Sequence, residues 1–192
     1  ADINGARTLA AGNDIPSNNA PWQHAQAMAY ALRKKWGFAN APISDEDLAD
    51  RLSLNVSKLR ETSSDAPFSF GVRGAAGGKL GFLLNRPHKE GRRFDTARLI
   101  GDFIAFDRDE RIIPATNTVT TRQKFQRAFA AEFLCPSMMI KEQYSDIDQR
   151  SIGKVVDEIS NDYGVSEQVV VHHMENRQVL SHAMFESSLL LA

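Results

Sequence analysis

The chain reads as an α+β protein, and three observations predict it. Apolar residues recur at helical spacing from Pro21 to about residue 57. The period then breaks at FSFGVRGAAGGKLGFLLN, residues 68–85, where two short apolar segments flank Gly74–Gly78 in the pattern of a β-hairpin with a glycine-bearing loop. Helical spacing returns near residue 92 and dominates the rest of the chain. Helices, a small antiparallel hairpin packed on them, then helices again make an α+β layout.

Taken in order, residues 1–20 are rich in Asn, Gly, Pro and Ser and read as an arm or linker, ordered only when docked. From Pro21, which suits a first helical turn, PWQHAQAMAYALRKKWGF places Trp22, Ala25, Ala29, Leu32 and Trp36 on one face. In ISDEDLADRLSLNV, Ser44 is the expected N-cap ahead of an acidic first turn, with Leu48 and Leu52 as core anchors. RPHKEGRR reads as a basic loop leading into RRFDTARLIGDF, an amphipathic helix with Phe94, Ala97, Ile100, Gly101 and Ile104 near helical period. RDERIIPATN is a connection with a short strand at Ile112–Ile113. VTTRQKFQRAFAAEFLCP is a strong helix stopped before Pro136. Two further helices, IDQRSIGKVVDEISNDYG and SEQVVVHHMENRQVL, join at Gly164–Ser166, and the tail HAMFESSLLLA is ambiguous. The expected division is an arm at 1–20, a main domain at 21–140 and a helical subdomain at 141–192.

Composition narrows the function classes. With 192 residues, 42% hydrophobic and 24% charged, the chain has the profile of an ordinary globular protein with a real core. Its net charge of −1 gives no global pull towards nucleic acid or acidic membranes. The charge is unevenly spread: residues 141–192 carry four basic against nine acidic side chains, and the first 140 carry 19 against 15. Cys135 is the single cysteine, so neither an internal disulfide nor a thiolate zinc knuckle can form. A reducing, cytoplasmic setting is expected. No apolar run approaches the ~20 residues that span a bilayer, and ADINGARTLAAGNDIPSNNAPW lacks the basic start and apolar stretch of a signal peptide. Without an initiator Met, the expectation is a trimmed chain or the C-terminal part of something longer.

Residues 93–97 read Arg-Phe-Asp-Thr-Ala, residues 129–136 read Phe-Ala-Ala-Glu-Phe-Leu-Cys-Pro, and residues 163–166 read Tyr-Gly-Val-Ser. Together these resemble the ImmA/IrrE family of zinc-dependent metallopeptidases, over about residues 21–180. The resemblance implies a zincin-like scaffold in which residues 98–102 occupy the place of the HExxH helix. The chemistry of that motif is missing. Arg98 and Asp102 stand where the two histidines should be, and Leu99 replaces the glutamate. Zinc needs imidazole lone pairs at i and i+4 on one helical face, and a guanidinium has no lone pair to offer. Leu99 also removes the general base that would activate water. The family's third ligand, an acid ahead of the FAAE stretch, falls among Gln123, Phe125 and Gln126, none of them acidic. No metal or cofactor is expected.

Arg98 and Asp102 are spaced to form an i,i+4 ion pair across the vacated metal position, worth only ~0.3–0.5 kcal/mol if exposed. Arg127 stands at the family's Asn position, near Arg122, Gln123, Lys124 and Gln126. Arg98, Asp102, Gln123, Gln126 and Arg127 therefore form the candidate cleft, either as structural filler or facing a small anionic ligand. Elsewhere, His88, Asp102, Asp107 and Glu132 form no known ligand spacing, and adjacent His172 and His173 point to different sides of a helix. Glu132 reads as structural and Cys135 as buried and unreactive. VVDEISNDYGVSEQVVVHHMENR resembles a helix-turn-helix, but its second helix lies in an acidic region that phosphates would repel, so helical packing is expected over direct DNA binding.

The implied function is that of a non-catalytic, bacterial pseudopeptidase with a regulatory or sensing role in transcription or stress response. Its former cleft would bind a peptide, a partner protein or a small anion. By the resemblance, the partner is a helix-turn-helix transcriptional regulator or an N-terminal domain missing from this chain. Two alternatives stand beside it: a hydrolase with a rebuilt or metal-free site, and a purely structural or assembly module. A membrane role is not expected.

Overall fold

A computed structural model describes residues 20–61, 65–74, 79–106, 109–144, 151–177 and 179. The helices are α1 (Pro21–Trp36), α2 (Asp45–Leu52), α3 (Ser57–Arg60), α4 (Lys89–Ala105), α5 (Thr121–Leu134), α6 (Ser137–Tyr144), α7 (Ile152–Tyr163) and α8 (Glu167–Asn176). The strands are β1 (Ser69–Arg73), β2 (Leu80–Leu83) and β3 (Ile112–Ala115). They form one antiparallel sheet in the order β2-β1-β3. The α+β layout is as expected. Residues 1–19 of the arm, the glycines at 77 and 78 in the hairpin loop, Asp107 and the tail HAMFESSLLLA lie outside the described residues.

Local chemistry explains most boundaries. The Ser44 hydroxyl accepts from the Asp47 amide at 3.0 Å, and the Asp47 carboxylate accepts from the Ser44 amide in return, a capping box that starts α2. Thr120 caps α5 by accepting from Gln123 N at 3.2 Å. The expected strand at Ile112–Ile113 extends to Ala115 and pairs with β1, placing Phe70 opposite Pro114. Proline is tolerated there because β3 is an edge strand and one side of it owes no hydrogen bond.

Three expectations need correction. Trp22 does not join the buried face of α1; it is 53% exposed, while Ala25, Ala29, Leu32 and Trp36 are buried. The basic loop is shorter than its sequence suggests, since α4 begins at Lys89 and takes in both Arg92 and Arg93. This helix is also buried on nearly every side from Arg92 to Ile104, not amphipathic. Helix α6 has no counterpart in the sequence reading.

Helix α4 sits between the sheet and α5, and α1 packs on the far part of α5. Inward-facing Gly71, Leu80, Ile113 and Ala115 meet Leu99 and its neighbours. On α5, Phe125, Phe129 and Phe133 stack at i, i+4 and i+8, with ring centroids 6.4 and 5.5 Å apart, and Trp36 closes edge-on against Phe133. The buried apolar residues of α7 and α8 (Ile152, Val156, Ile159, Val170, Met174) belong to the same continuous core. Gly164 ends α7 in the left-handed conformation, φ 60°, and its missing side chain leaves room for Arg93, which a Cβ would meet at 3.0 Å.

Helices α4 and α5 approach closely at Gly101, where a Cβ would lie 2.5 Å from two atoms of the Phe129 ring. Gly101→Ala is expected to cost about 2–3 kcal/mol through overpacking, read as a lowered midpoint in denaturant. Gly153→Ala, where nothing lies within 4 Å of the new Cβ, should instead be neutral or stabilise by about 0.5 kcal/mol.

Candidate functional site

The polar face of α4 looks across at α5 and the end of β3. Asp102 is completely buried and accepts a bidentate pair of hydrogen bonds from Arg122, Nε to Oδ2 at 2.6 Å and Nη2 to Oδ1 at 2.7 Å. Gln126 Nε2 adds a third at 2.7 Å. A fork-to-fork guanidinium and carboxylate pair of this kind is both stronger and more directional than a lysine contact. Arg122 also reaches Glu110 and lies 5.1 Å over the Phe106 ring. Bonding to Asp102, opposed by partial burial and reinforced by Glu110, raises the guanidinium pKa further above its ordinary value.

One turn earlier, Arg98 bonds a different set through its two terminal nitrogens, while its buried Nε has no partner. It donates to Asp95 Oδ1 at 3.1 Å, to the Thr116 carbonyl at 2.6 Å and to Gln123 Oε1. Asp95 in turn accepts from Arg86 Nε at 2.9 Å. Burial pulls the Arg98 guanidinium below its ordinary range. Asp95 opposes that shift, while the nearby cations Arg127 and Arg86 add to it. An arginine starts so far above neutrality that it remains charged.

The two sets meet at one backbone oxygen. The Pro114 carbonyl accepts from Gln123 Nε2 at 2.9 Å and from Gln126 Nε2 at 3.1 Å. The result is a buried chain of carboxylates, guanidiniums and amides joining α4, β3 and α5. Asp95 and Asp102 balance Arg98 and Arg122, so the cluster is neutral before its outer partners Arg86 and Glu110 are added.

Of the candidate residues, the structure brings Arg98 to Gln123 and Asp102 to Gln126, as a shared cleft requires. The expected Arg98–Asp102 ion pair does not form. Arg98 pairs instead with Asp95 at i−3, and Asp102 with Arg122 on the facing helix. The reason is reach: Arg122 approaches Asp102 side-on from α5, with Nε and Nη2 as two parallel donors, whereas Arg98 is engaged towards β3. Arg98, Asp102, Gln123 and Gln126 are all buried, so these four do not line an open surface. Arg127 separates from the group, lies nearer the surface and donates to the Thr118 carbonyl at 3.1 Å.

Among the described residues no group of three or more His, Cys, Asp or Glu side chains is placed to hold a metal ion. The other candidates are scattered. His88 is the residue before α4, and Glu132 accepts from the Ser137 amide and hydroxyl at 3.2 and 2.7 Å. Cys135 is buried, and loss of solvation pushes its thiol up to about 12, so it is no nucleophile at neutral pH.

The open space lies next door. A groove of about 1540 Å³ is lined by α5, α8 and the turn before it, the start of α1, and the first turns of α4 with the segment leading into it. Lys124, Arg127, Ala128 and Ala131 border it from α5, at i, i+3, i+4 and i+7, and Val169, His172 and Asn176 from α8. Trp22 and Phe94 add apolar surface, Lys89 and Arg177 positive charge. Glu90 and Glu167 are the acidic side chains on the rim, while Asp95 is held by Arg86 and Arg98. Sequence reasoning missed this groove, apart from Arg127, because it is assembled from helices distant along the chain. His172 and His173 do diverge as expected: His172 is exposed, and His173 is buried at the groove's edge.

No known protein family, curated protein or solved structure matches the chain. No helix among the described residues is long and apolar enough to cross a membrane.

Breaking the Asp102–Arg122 pair from one side should be costly, since it strands a buried charge. Arg122→Met is expected to destabilise by about 3–5 kcal/mol, and the double variant with Asp102→Leu to recover much of that loss in a double-mutant cycle. His173 supplies a pH test. Burial lowers its pKa, against opposition from the Glu132 carboxylate and a backbone hydrogen bond at Ala131, while Arg177 and His172 add to the lowering. A depressed folded-state pKa means the unfolded chain binds the proton first. Stability is therefore present above the ordinary histidine value of about 6.5 and falls as pH drops below it. Urea midpoints measured from pH 7.5 to 5 should show this slope, and His173→Phe should flatten it.

Proposed function

We propose that the chain is a non-catalytic binding protein built on an ImmA/IrrE-like scaffold, in which a former metal centre has become an internal lock. The observation that carries this reading is the enclosure of Asp102. The residue at the second histidine position spends both carboxylate oxygens on Arg122 and Gln126. At the first histidine position stands a guanidinium, and at the glutamate position a buried leucine packed towards the sheet. A hydrolytic centre needs lone pairs for a metal, or a general base with room for water and a scissile bond. Here the carboxylates are neutralised and the space is filled by side chains.

The same residues support a change in where a ligand binds. The sequence-based expectation of an anion held by Arg98 and Arg127 keeps only Arg127, because Arg98 is enclosed. Binding then belongs to the groove between α5 and α8, which is open, carries positive charge and has an apolar floor. In this reading the helix pair α7–α8, whose turn resembles a helix-turn-helix, acts as a wall of that groove. Regulation of transcription or of a stress response, through a partner such as a helix-turn-helix regulator, is the biological role consistent with the resemblance.

The test is metal content together with hydrolysis. Chain purified without chelator and then offered zinc should retain far less than one ion per molecule, and should leave casein and fluorogenic peptides intact with or without added metal. One tightly held zinc per chain, or metal-dependent cleavage abolished by Asp102→Ala, would sink the non-catalytic reading.

A further inference from the structure

The groove carries more information than its sign of charge. Three of its cations, Lys124, Arg127 and Arg177, have no carboxylate partner within ion-pairing distance among the described residues. Arg127 and Arg177 bond only to neutral oxygens, the Thr118 carbonyl and the Ser137 hydroxyl. Cations in excess of local acids create a positive field that a ligand can neutralise. A second, independent feature lies at the α8 side. His173 is 95% buried, and its Nε2 has no hydrogen-bond partner, although the residue borders the groove. The other ring nitrogen is engaged with the Ala131 backbone. In the neutral ring Nε2 is then a lone-pair acceptor, and a buried acceptor without a donor is an unmet demand.

We propose that the groove between α5 and α8 receives an acidic, amphipathic segment of a partner polypeptide. Its carboxylates would lie along Lys124, Arg127 and Arg177, and one of its N–H groups would reach His173. The inference rests on the binding-protein reading above and adds the chemistry of the partner.

Size and lining select a polypeptide over the other anions. The groove exceeds the ~300–1,000 Å³ of ordinary small-molecule sites. Its floor is apolar where α5 offers only Ala128 and Ala131, small enough for a partner backbone or side chain to approach, with Val169 opposite and Trp22 at one end. Apolar anchors at helical spacing flanked by charge are the features of a groove that takes an amphipathic segment. Single-stranded nucleic acid would want several exposed aromatic faces for stacking, and among the described residues Trp22 is the one large exposed ring on this groove.

The experiment uses the full chain and fluorescence anisotropy with three fluorescein-labelled probes. These are a peptide of Glu, Leu and Ala in amphipathic order, the same peptide with Lys for Glu, and a single-stranded oligothymidylate. The acidic peptide should bind saturably, weaken as salt rises, and outbind the lysine peptide by at least about tenfold. Lys124→Glu/Arg127→Glu should lower its affinity by at least about tenfold. His173→Phe should lower it with little change in salt dependence, since a neutral acceptor is lost. Lys124→Gln/Arg127→Gln, a milder pair, keeps the test decisive if the charge reversal fails to fold. Equal binding of acidic and basic peptides, indifference to both charge variants, or binding of the oligothymidylate in place of the acidic peptide would overturn the proposal. None of these outcomes bears on zinc retention or casein cleavage, so failure here is separable from failure of the non-catalytic reading.

Discussion

The structure turns on how the charge of Asp102 is neutralised. A carboxylate with no solvent exposure, in the middle of the most buried helix, would destabilise the fold by several kcal/mol if left alone. Arg122 meets it with two parallel donors, and Gln126 fills a remaining acceptor direction. Those donors come from α5, so the pairing fixes the rotation of α5 against α4. That rotation stacks Phe129 against Gly101 and lets Gln123 and Gln126 share the Pro114 carbonyl. The edge strand β3 is thereby tied to both helices. Helix packing, sheet attachment and the closure of the candidate cleft all depend on one carboxylate having found its partner.

Buried guanidiniums extend the same logic through the molecule. Arg33 donates to the carbonyls of Ala39, Ala41 and Phe133, the last at the C-terminal end of α5, where helix carbonyls lack partners. Burial lowers its pKa to about 10, which still leaves it charged. Arg92 bonds the carbonyls of Leu59, Arg60, Arg86 and Pro87, and so holds the segments on either side of the sheet. Arg93 pairs with Asp45 and also reaches carbonyls of Ile43, Tyr163 and Gly164, linking α2 to the α7–α8 turn. Five donors in a planar fork allow one side chain to satisfy several chain ends at once, which neither lysine nor an apolar residue can do. The basic excess of the first 140 residues is therefore partly internal and not a surface available to ligands.

This division explains what could be read from the sequence. The α5 helix, the Ser44 cap, the hairpin and the α7–α8 pair were legible because local signals decide them: period, capping residues and glycine turns. Burial of Arg92, Arg93 and Arg98 was not legible, since an arginine run looks like a solvated loop until its carbonyl partners are known. The candidate site was half legible. Spacing placed Arg98 and Asp102 on one face and brought Gln123 and Gln126 opposite them. Which acid pairs with which arginine depended on the approach of α5, a tertiary fact, and the i,i+4 rule for exposed helices had no hold on a buried one. Helix α6 was missed because SMMIKEQY is short and follows Pro136, which reads as a stop even where a new helix begins directly after it.

The uneven charge of the chain acquires a geometry once the helices are placed. The acidic residues of α7, Asp157, Glu158 and Asp162, are exposed and none borders the groove. Lys89, Lys124, Arg127 and Arg177 do border it, while Lys34, Lys35, Arg111, Lys141 and Lys154 are exposed elsewhere. A chain close to neutral overall can thus present opposite signs on different surfaces. Enclosing Arg98 and Asp102 sharpens the contrast, because a neutral cluster beneath α5 contributes little field of its own and leaves the groove potential to its rim. At 0.15 M salt that potential decays over roughly 8 Å. Selection of a partner would then rest on groups that enter the groove, and distant charge on the partner would mainly affect the rate of encounter.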